Sequence, residues 1–378
     1  MQKTTQTRLL SLDIFRGLTV AGMILVNNPG SWGHIYAPLR HASWHGCTPT
    51  DLVFPFFLFI VGISISLAYT KRKKAGVSPS SMYGKIFSRT AKLILLGLFL
   101  SAFTIAFPFF KDWEAIRIPG VLQRIGLVFM VASLLFLHCS WRSILLIFVG
   151  LLVGYWALMS FVPVPGAGEA NYEPTTNLAA WLDRLLMEGH LWKKAWDPEG
   201  LLSTLPAIGT ALFGILIGKI LLQKSLTEFQ KIQYFLGIGL GGILLGMLWD
   251  PFFPINKGLW TSSYVLFTGG LASTLFGMIY AIADVWKKQD WGNVFVVYGS
   301  NAITVFFLSG LIAKTFYQCK WTNGEGSTES LHGFLYQQLY TSWISVPELS
   351  SLMYALTVVV FYYLVLYVMY RKKIFVKL

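Results

Sequence analysis

The sequence predicts an all-α fold, a polytopic membrane helix bundle of about ten transmembrane helices. Hydrophobic residues make up 55% of the 378 positions and only 12% are charged, whereas soluble domains carry about 25% charged residues. Apolar runs recur along the whole chain, each about as long as the roughly 20 residues that cross a bilayer. The 14 Trp and 17 Tyr residues suit the aromatic belts at the two membrane interfaces.

Ten apolar runs define the predicted spans. They cover residues 9–28, 51–70, 90–109, 119–138, 143–162, 201–222, 233–251, 262–284, 292–315 and 351–370. The first run contains Asp13 and Arg16, three residues apart, which we expect to pair inside the bundle. It has no nearby cleavage site and is therefore predicted to be a retained span. The ninth run has a Gly-Ser-Asn break ending at Asn301, where the helix could unwind.

The distribution of charge predicts the orientation of the bundle. Lys and Arg residues accumulate in cytoplasmic loops, and this chain has the runs "KRKK" after the second span and "YRKK" near its end. An even number of spans with both termini in the cytoplasm fits every loop. The net charge of +13 is therefore interpreted as a topology signal, and no nucleic-acid partner is predicted. Residues 1–378 are predicted to form one domain, in which the outer loop 163–200 could cap the site.

Polar side chains collect at the outer ends of the spans and in the outer loops. Such residues near a membrane core are candidates for function by default, and their convergence from five connections predicts an outward-facing cavity. The candidates are Asn27, Asn28, His41, Asp51, Arg117, Gln123, Arg124, Asp197, Glu199, Asn256 and Lys257. Asn301, at the break in the ninth span, is added as a candidate binding residue.

The stretch "LRHASWHGCTPTDLVFPFF" has the densest titratable chemistry of the chain. His41 is either an interfacial histidine that only hydrogen-bonds or a base oriented by Asp51, ten residues later. His41 and His45 have the i,i+4 spacing of metal ligands. However, "PTD" interrupts a helix here and no third ligand is evident, so no metal is predicted.

The other charged candidates also have two interpretations. Arg117 and Arg124 either bind a diphosphate or carboxylate, or form ion pairs with acids of a neighbouring loop. Asp197 and Glu199 either belong to the site or cap the sixth predicted span. The cysteines lack metal-ligand spacing. Cys47 and Cys319 both lie on the predicted outer side, where a disulfide could form, but free thiols are favoured.

Six motifs, in order, resemble one known family. They are "SLDIFRGLTVAGMILVNN", "HASWHGCTPTDLVFPFFLFIVG", "RIPGVLQRIG", "DPEGLLSTLPAIGTALFG", "FPINKGLWTSSYVLFTGG" and "YRKKIFVKL". Together they resemble the heparan-α-glucosaminide N-acetyltransferase family of membrane enzymes. The likeness runs from about Ser11 to the C-terminus. It implies a bacterial member without the large lumenal region of the lysosomal enzyme, located in the cytoplasmic (inner) membrane.

The resemblance implies a transmembrane acetyl transfer from cytoplasmic acetyl-CoA to an amino sugar, such as glucosamine or a glucosamine-terminated saccharide, on the far side. It maps the active-site histidine to His41, the partner aspartate to Asp51 and an asparagine to Asn27, with Asn28 as a rival. His45 stands where the lysosomal motif has Asn, so no role is transferred to it. A homodimer is implied by family likeness alone; the small-residue run 237–246 permits close packing within one bundle or between subunits.

Two mechanisms and two functions stay open at this stage. His41 either deprotonates the sugar amine for direct attack on the thioester or carries the acetyl group itself. Asp51 would orient the imidazole, and Asn27 could donate to the developing oxyanion. CoA phosphates would be bound by Arg117, Arg124 and Lys257, or by Arg16 and inner-loop lysines, since no Gly-rich phosphate loop is present. The alternative function is an amino-sugar permease without transfer chemistry. O-Acylation of a surface polysaccharide would be the same reaction type with another acceptor.

Overall fold

The structure is a computed structural model that describes residues 9–322 and 326–376. It is mostly helical, and most of its helices are long and apolar. The helices are α1 (Leu10–Asn27), α2 (Val53–Lys74), α3 (Ser80–Ala102), α4 (Val121–His138), α5 (Trp141–Phe161), α6 (Leu178–Met187), α7 (Thr204–Leu221), α8 (Glu228–Trp249), α9 (Ser262–Tyr280), α10 (Asn293–Ser300), α11 (Ala302–Gln318), α12 (Leu331–Tyr336) and α13 (Pro347–Arg371). The only paired strands in the described residues form a short antiparallel hairpin, β1 (Lys320–Thr322) with β2 (Thr328–Ser330).

The described part of the chain has eight helices long and apolar enough to cross a membrane, or nine if one bent pair is counted as a span. The fold class is thus confirmed: this is an all-α polytopic membrane protein. The bent pair is α10 and α11, which meet at 66° at the predicted break before Asn301. The third predicted span, 90–109, was misplaced, because the helix covers Ser80–Ala102 instead. Lys85, Arg89 and Lys92 lower the hydropathy of α3, and the residues after Ala102 leave the helix.

Close helix contacts build the core of the bundle. α2 packs on α7 through Gly62, where an added Cβ would lie 2.0 Å from the carbonyl oxygen of Ala211. α8 packs on α9 through Gly242 and Gly270 in the same way. In the small-residue run at 237–246, Gly239, Gly242 and Gly246 therefore serve packing within one bundle. Such close approaches let helices associate where the surrounding lipid offers no hydrophobic driving force.

The two ends of α2 define the two ends of the bundle. Asp51 immediately precedes its first turn, and Lys71, Arg72, Lys73 and Lys74 fill its last turn; we call these the site end and the basic end. The predicted pair near the basic end is confirmed, because Arg16 Nη1 lies 3.1 Å from Asp13 Oδ1. The C-terminal basic run follows α13 to the same end, except for its last two residues, which lie outside the described part. Cys47, Cys139 and Cys319 are free thiols, as favoured above.

Candidate functional site

At the site end, the buried carboxylate of Asp51 pairs with the half-exposed imidazole of His41. The two residues lie on either side of the turn that leads into α2, and Asp51 Oδ1 is 2.7 Å from His41 Nδ1. The Asp51 side chain is 1% exposed, whereas that of His41 is 47% exposed. Since a carboxylate on Nδ1 fixes the ring and its tautomer, Nε2 becomes the basic nitrogen. The histidine therefore presents Nε2 away from the carboxylate.

The second oxygen of Asp51 organises the loop that carries His41. Oδ2 accepts the N–H of Ala42 at 3.0 Å, the N–H of Thr48 at 3.1 Å and the Thr48 hydroxyl at 3.0 Å. Thr48 and Asp51 thus form a capping box at the entry to α2. From α9, the Tyr264 hydroxyl donates to the backbone carbonyl of Asp51 at 2.6 Å. The loop geometry around His41 consequently depends on one carboxylate.

Lys257 brings a cation from the loop between α8 and α9 to the same pair. Its Nζ lies 3.1 Å from His41 Nδ1 and 3.5 Å from Asp51 Oδ1. Burial lowers the pKa of Lys257, while the charges of Asp51 and Glu199 oppose that shift. Burial also raises the pKa of the nearby Cys47 thiol to about 12, so this thiol stays protonated. His41, Asp51 and Lys257 are called the histidine cluster below.

Asn256 locks the loops of the histidine cluster together. It is fully buried, and its Nδ2 donates to the carbonyl of Trp44 at 2.9 Å and lies 3.3 Å from His45 Nδ1. The N–H of Gly46 donates to the carbonyl of Ile255 at 2.7 Å, which makes a short parallel bridge between the two loops. His45 is therefore held by an amide at its Nδ1.

Arg117 lies at the centre of a second charged group. Its Nε and Nη2 bind the two carboxylate oxygens of Asp197 at 2.7 and 2.5 Å, and Nη2 also contacts Glu199. The ion-pair interpretation of Arg117 is thus confirmed, with partners from the loop before α7. Asp197 further accepts the N–H groups of Trp192 and Glu199, so it does not cap α7. Arg117, Asp197 and Glu199 are called the arginine cluster below.

Arg124, one turn into α4, is 1% exposed. Its Nη2 donates to the carbonyl of Gly200 at 2.9 Å and to the Ser203 hydroxyl at 2.5 Å. The guanidinium lies over the ring of Trp260, 5.2 Å from its centroid. Nε and Nη1 are buried without a hydrogen-bond partner among the described residues. Buried donors of a charged group are costly to leave unpaired, which makes Arg124 suited to hold a polar ligand atom or a water molecule.

The outer loop predicted at 163–200 contains a helix, α6, which the sequence reasoning missed. Its N-cap is Asn177, whose side chain accepts the N–H of Ala180, and the signal was the amphipathic "LAAWLDRLLM" that follows. Asp183 on α6 accepts the N–H of Leu201 at 2.9 Å. Burial raises the pKa of Asp183 to about 6. Asp183 was also missed, although it supports the segment that carries the arginine cluster.

Aromatic contacts join the outer loop to the loop of His41. Trp44 Nε1 donates to the carbonyl of Tyr172 at 2.8 Å, and its ring meets that of Trp196 edge-on at 4.9 Å. Gly258 fits beneath both indoles, because an added Cβ would lie 2.7 Å from Trp44 and 3.2 Å from Trp196. The outer loop is thereby in direct contact with the histidine cluster's own loops.

Four predicted site residues are not joined to these clusters by the contacts of the structure. Asn27 is exposed at the last turn of α1, and Asn28 Nδ2 donates to the carbonyl of Ile24 beside another cavity. Gln123 donates to the carbonyl of Ile118. Asn301 lies at the basic end, where it binds the C-terminal backbone at Ile374 and Val376. The clusters thus gather His41, Asp51, Arg117, Asp197, Glu199, Asn256 and Lys257, with Arg124 behind them.

Basic residues inside the bundle also face the basic end. Arg16 Nη2 donates to the Ser64 hydroxyl at 3.2 Å, and Arg89 lies over the ring of Phe129, 4.6 Å from its centroid. Arg89 Nε is buried without a hydrogen-bond partner among the described residues, and its charge interacts with that of Arg16. This pair is a second place at which an anionic group could be held.

Comparison with known proteins gives the chain its relatives. A family model described as heparan-alpha-glucosaminide N-acetyltransferase, catalytic, matches residues 8–242. The chain belongs to this family. It is 32% identical to the human heparan-alpha-glucosaminide N-acetyltransferase over 429 aligned positions, covering 98% of this chain and 60% of that protein. The mouse protein of the same name is 30% identical, with coverage of 100% and 61%. The chain thus spans about 60% of the length of these relatives, and the family match includes His41 and Asp51 but ends before Lys257.

Proposed function

We propose that the protein is an acetyl-CoA-dependent N-acetyltransferase that acetylates the amine of a glucosamine-type sugar at the site end. One observation carries the proposal: the buried Asp51 carboxylate holds Nδ1 of His41, whose side chain is 47% exposed, and leaves Nε2 as the basic nitrogen. A half-exposed imidazole on a buried carboxylate is the arrangement of a general base. The names of the relatives supply the reaction, N-acetyl transfer, and the class of acceptor.

The chemistry assigns a role to each group of the histidine cluster. An amine at neutral pH is mostly ammonium and must lose a proton before it can attack, and histidine, with an ordinary pKa of about 6.5, suits that task. The ammonium releases one proton to water, and His41 Nε2 accepts the second as the amine nitrogen bonds to the acetyl carbon. The C–S bond then breaks, and the CoA thiolate takes the proton from the imidazolium. Asp51 fixes the ring and stabilises its positive form.

The donor's phosphates fit Arg16 and Arg89 better than the outer arginine. Arg117 already binds two carboxylates, and Lys257 is held by Asp51, so neither is available to a phosphate. Arg89 retains an unpartnered buried Nε. Arg16 binds Ser64 on α2, thirteen residues after Asp51, which corresponds to about 20 Å along the helix at about 1.5 Å per residue. An extended CoA with its nucleotide at the basic end would span that distance toward His41, and Arg124 has two donors available along the way.

The orientation and surroundings follow from the same proposal. We place the basic end in the cytoplasm and the site end outside, as the charge runs indicate, in a bacterial cytoplasmic membrane. The outer loop 163–200 would act as a cap over the histidine cluster, supported by the contacts of Trp44 with Tyr172 and Trp196. A reporter fused after Lys74 should be cytoplasmic and one near Gly168 external; the opposite result would reverse the topology.

The test is transfer of radiolabelled acetyl from acetyl-CoA to glucosamine by purified protein, wild type beside His41→Ala. We expect wild-type transfer and a loss of about 10²–10⁴-fold in the variant, the usual contribution of general acid–base catalysis. Label left on wild-type protein without acceptor would select the acetyl-histidine route over direct transfer. Absence of transfer to glucosamine and to glucosamine-terminated oligosaccharides by folded protein would overturn the proposal and favour the permease.

A further inference from the structure

A cavity of about 440 Å³ lies between α11, α12 and α13, and neither charged cluster lines it. This volume is within the range of about 300–1,000 Å³ found for ligand pockets. Its walls are mainly aromatic and aliphatic. Its lining includes Asn28, Ile312, Tyr317, His332, Val358 and Phe361. The proposed acetyl transfer gives this cavity no role.

The cavity is polar at one end and apolar at the other. Toward the site end, His332 Nε2 lies 3.1 Å from the Tyr317 hydroxyl, and the two rings stack with centroids 4.1 Å apart. Burial lowers the pKa of His332, so this histidine is neutral at physiological pH. Deeper along α11 and α13, Ile312 and Val358 form the walls. A ligand matched to this gradient has a polar head and a hydrocarbon chain.

The side of the cavity faces the membrane. Two of its lining residues, Leu339 and Phe361, are 55% and 51% exposed. Along α13, Val360, Leu364 and Val368 are exposed as well, and an apolar exposed face on a membrane-spanning helix contacts lipid hydrocarbon. A ligand chain could therefore enter sideways from the bilayer without crossing water.

We infer that this cavity seats the hydrocarbon chain of a lipid from the leaflet at the site end, with its head group beside Asn28 and His332. Lipid chains are the abundant apolar molecules at this depth of the bilayer, and the exposed lining residues Leu339 and Phe361 are where such a chain would enter. The inference rests on the cavity alone and holds whether or not the protein transfers acetyl groups.

The test uses a phospholipid with a photoactivatable group on its acyl chain, added to the full chain in liposomes. Val358 lines the cavity, whereas Val360, two residues later on the same helix, is 56% exposed and does not. We expect labelled peptides from α11 and α12, reduced at least fivefold by Val358→Phe and unchanged by the matched Val360→Phe. Ala313→Phe, which fills the cavity from the opposite helix, should give the same loss and replaces Val358→Phe if that variant does not fold.

Three results would overturn the inference. Equal labelling of α11 and α12 in the wild type and in both cavity-filling variants would place the lipid on the outer surface only. Labelling that acetyl-CoA displaces would identify the cofactor as the occupant. Labelling confined to the exposed face of α13 would leave the cavity without a lipid. The transfer assay on the same variants separates this inference from the proposed function, because the cavity-filling variants should retain the histidine cluster.

Discussion

Two charged clusters lie at the same end of the bundle, and their buried carboxylates bind different partners: a guanidinium group in one and an exposed imidazole in the other. In the arginine cluster, Arg117 is engaged by both Asp197 and Glu199, and the Asp197 side chain has no exposed surface. In the histidine cluster, the equally buried Asp51 holds a ring that is 47% exposed. A fully satisfied ion pair fixes a loop, whereas a buried anchor under an exposed ring leaves one nitrogen for chemistry. The first cluster should therefore govern stability and the second activity.

The largest effect should come from Asp51→Asn. This change keeps the size of the side chain but removes the charge that orients His41 and pairs with Lys257. We expect acetyl transfer to fall by about 10²–10⁴-fold, as in hydrolase triads that lose their aspartate. Asp112→Asn, an exposed change, is the matched control and should leave the rate unaltered. A variant with near-normal turnover would show that Asp51 only caps the loop.

Lys257→Met tests the cation of the histidine cluster. Its ammonium group lies 3.5 Å from Asp51 Oδ1, and its loss removes a positive charge that balances this buried carboxylate. We therefore expect acetyl transfer to fall about tenfold, since charges at this distance interact by more than about 1 kcal/mol at protein-like dielectric values and about 1.4 kcal/mol is a factor of ten in rate. Lys257→Arg, which keeps the charge, should lose less. Unaltered transfer by folded Lys257→Met protein would remove this lysine from the site.

Arg117→Gln tests the stability that the arginine cluster contributes. It leaves two carboxylates without their cation, and removing one partner of a buried ion pair costs about 3–5 kcal/mol. Thermal unfolding in detergent should therefore shift strongly, while the rate at low temperature changes much less than in Asp51→Asn. Arg142→Gln, an exposed arginine over Trp141, supplies the control. Loss of activity at unchanged stability would move Arg117 into the reacting site.

Asp183→Asn should have the smallest effect, a change in how stability depends on pH. Burial raises the pKa of Asp183 from 3.8 to about 6, so its protonated form is favoured in the folded state. The contribution is fully present below pH 3.8 and is lost as the pH rises through about 6. Unfolding midpoints of the wild type should therefore fall over this interval by an amount equivalent to about 2 kcal/mol, and those of the variant should not. Parallel curves for both proteins would contradict this assignment.

Much of the site could be predicted because its contacts join residues close in the sequence or pair a buried charge with the counter-ion that it requires. Asp51 is ten residues from His41 and opens a helix, so a turn back to the imidazole was an accessible geometry. Because a buried cation requires a counter-ion, Arg117 was expected to pair with a carboxylate, and the outer loop contains Asp197 and Glu199. Lys257 was a candidate without a partner, since a contact across 216 positions leaves no local pattern.

Other features depended on tertiary packing that no local rule contains. Asn301 occupies a predicted break, but its partners are backbone groups of the C-terminal segment. The helix α3 begins ten residues before the predicted span, because Lys85, Arg89 and Lys92 lowered the hydropathy of a helix that nevertheless forms. α6 lies in a segment that was predicted as a loop because of its Pro and Gly content, and Asp183 was missed with it.

The bridge between Gly46 and Asn256 has a consequence for the order of events during synthesis. Because chains emerge and insert from the N-terminus, His41 and Asp51 reach the membrane some two hundred residues before the loop that closes on them. A ribosome-bound chain stalled before Asn256 would carry the base and its aspartate without the lysine or the amide that joins the two loops. The nascent protein should therefore be inactive until late in translation, and the histidine cluster would be complete only when α8 and α9 pack against the rest of the bundle.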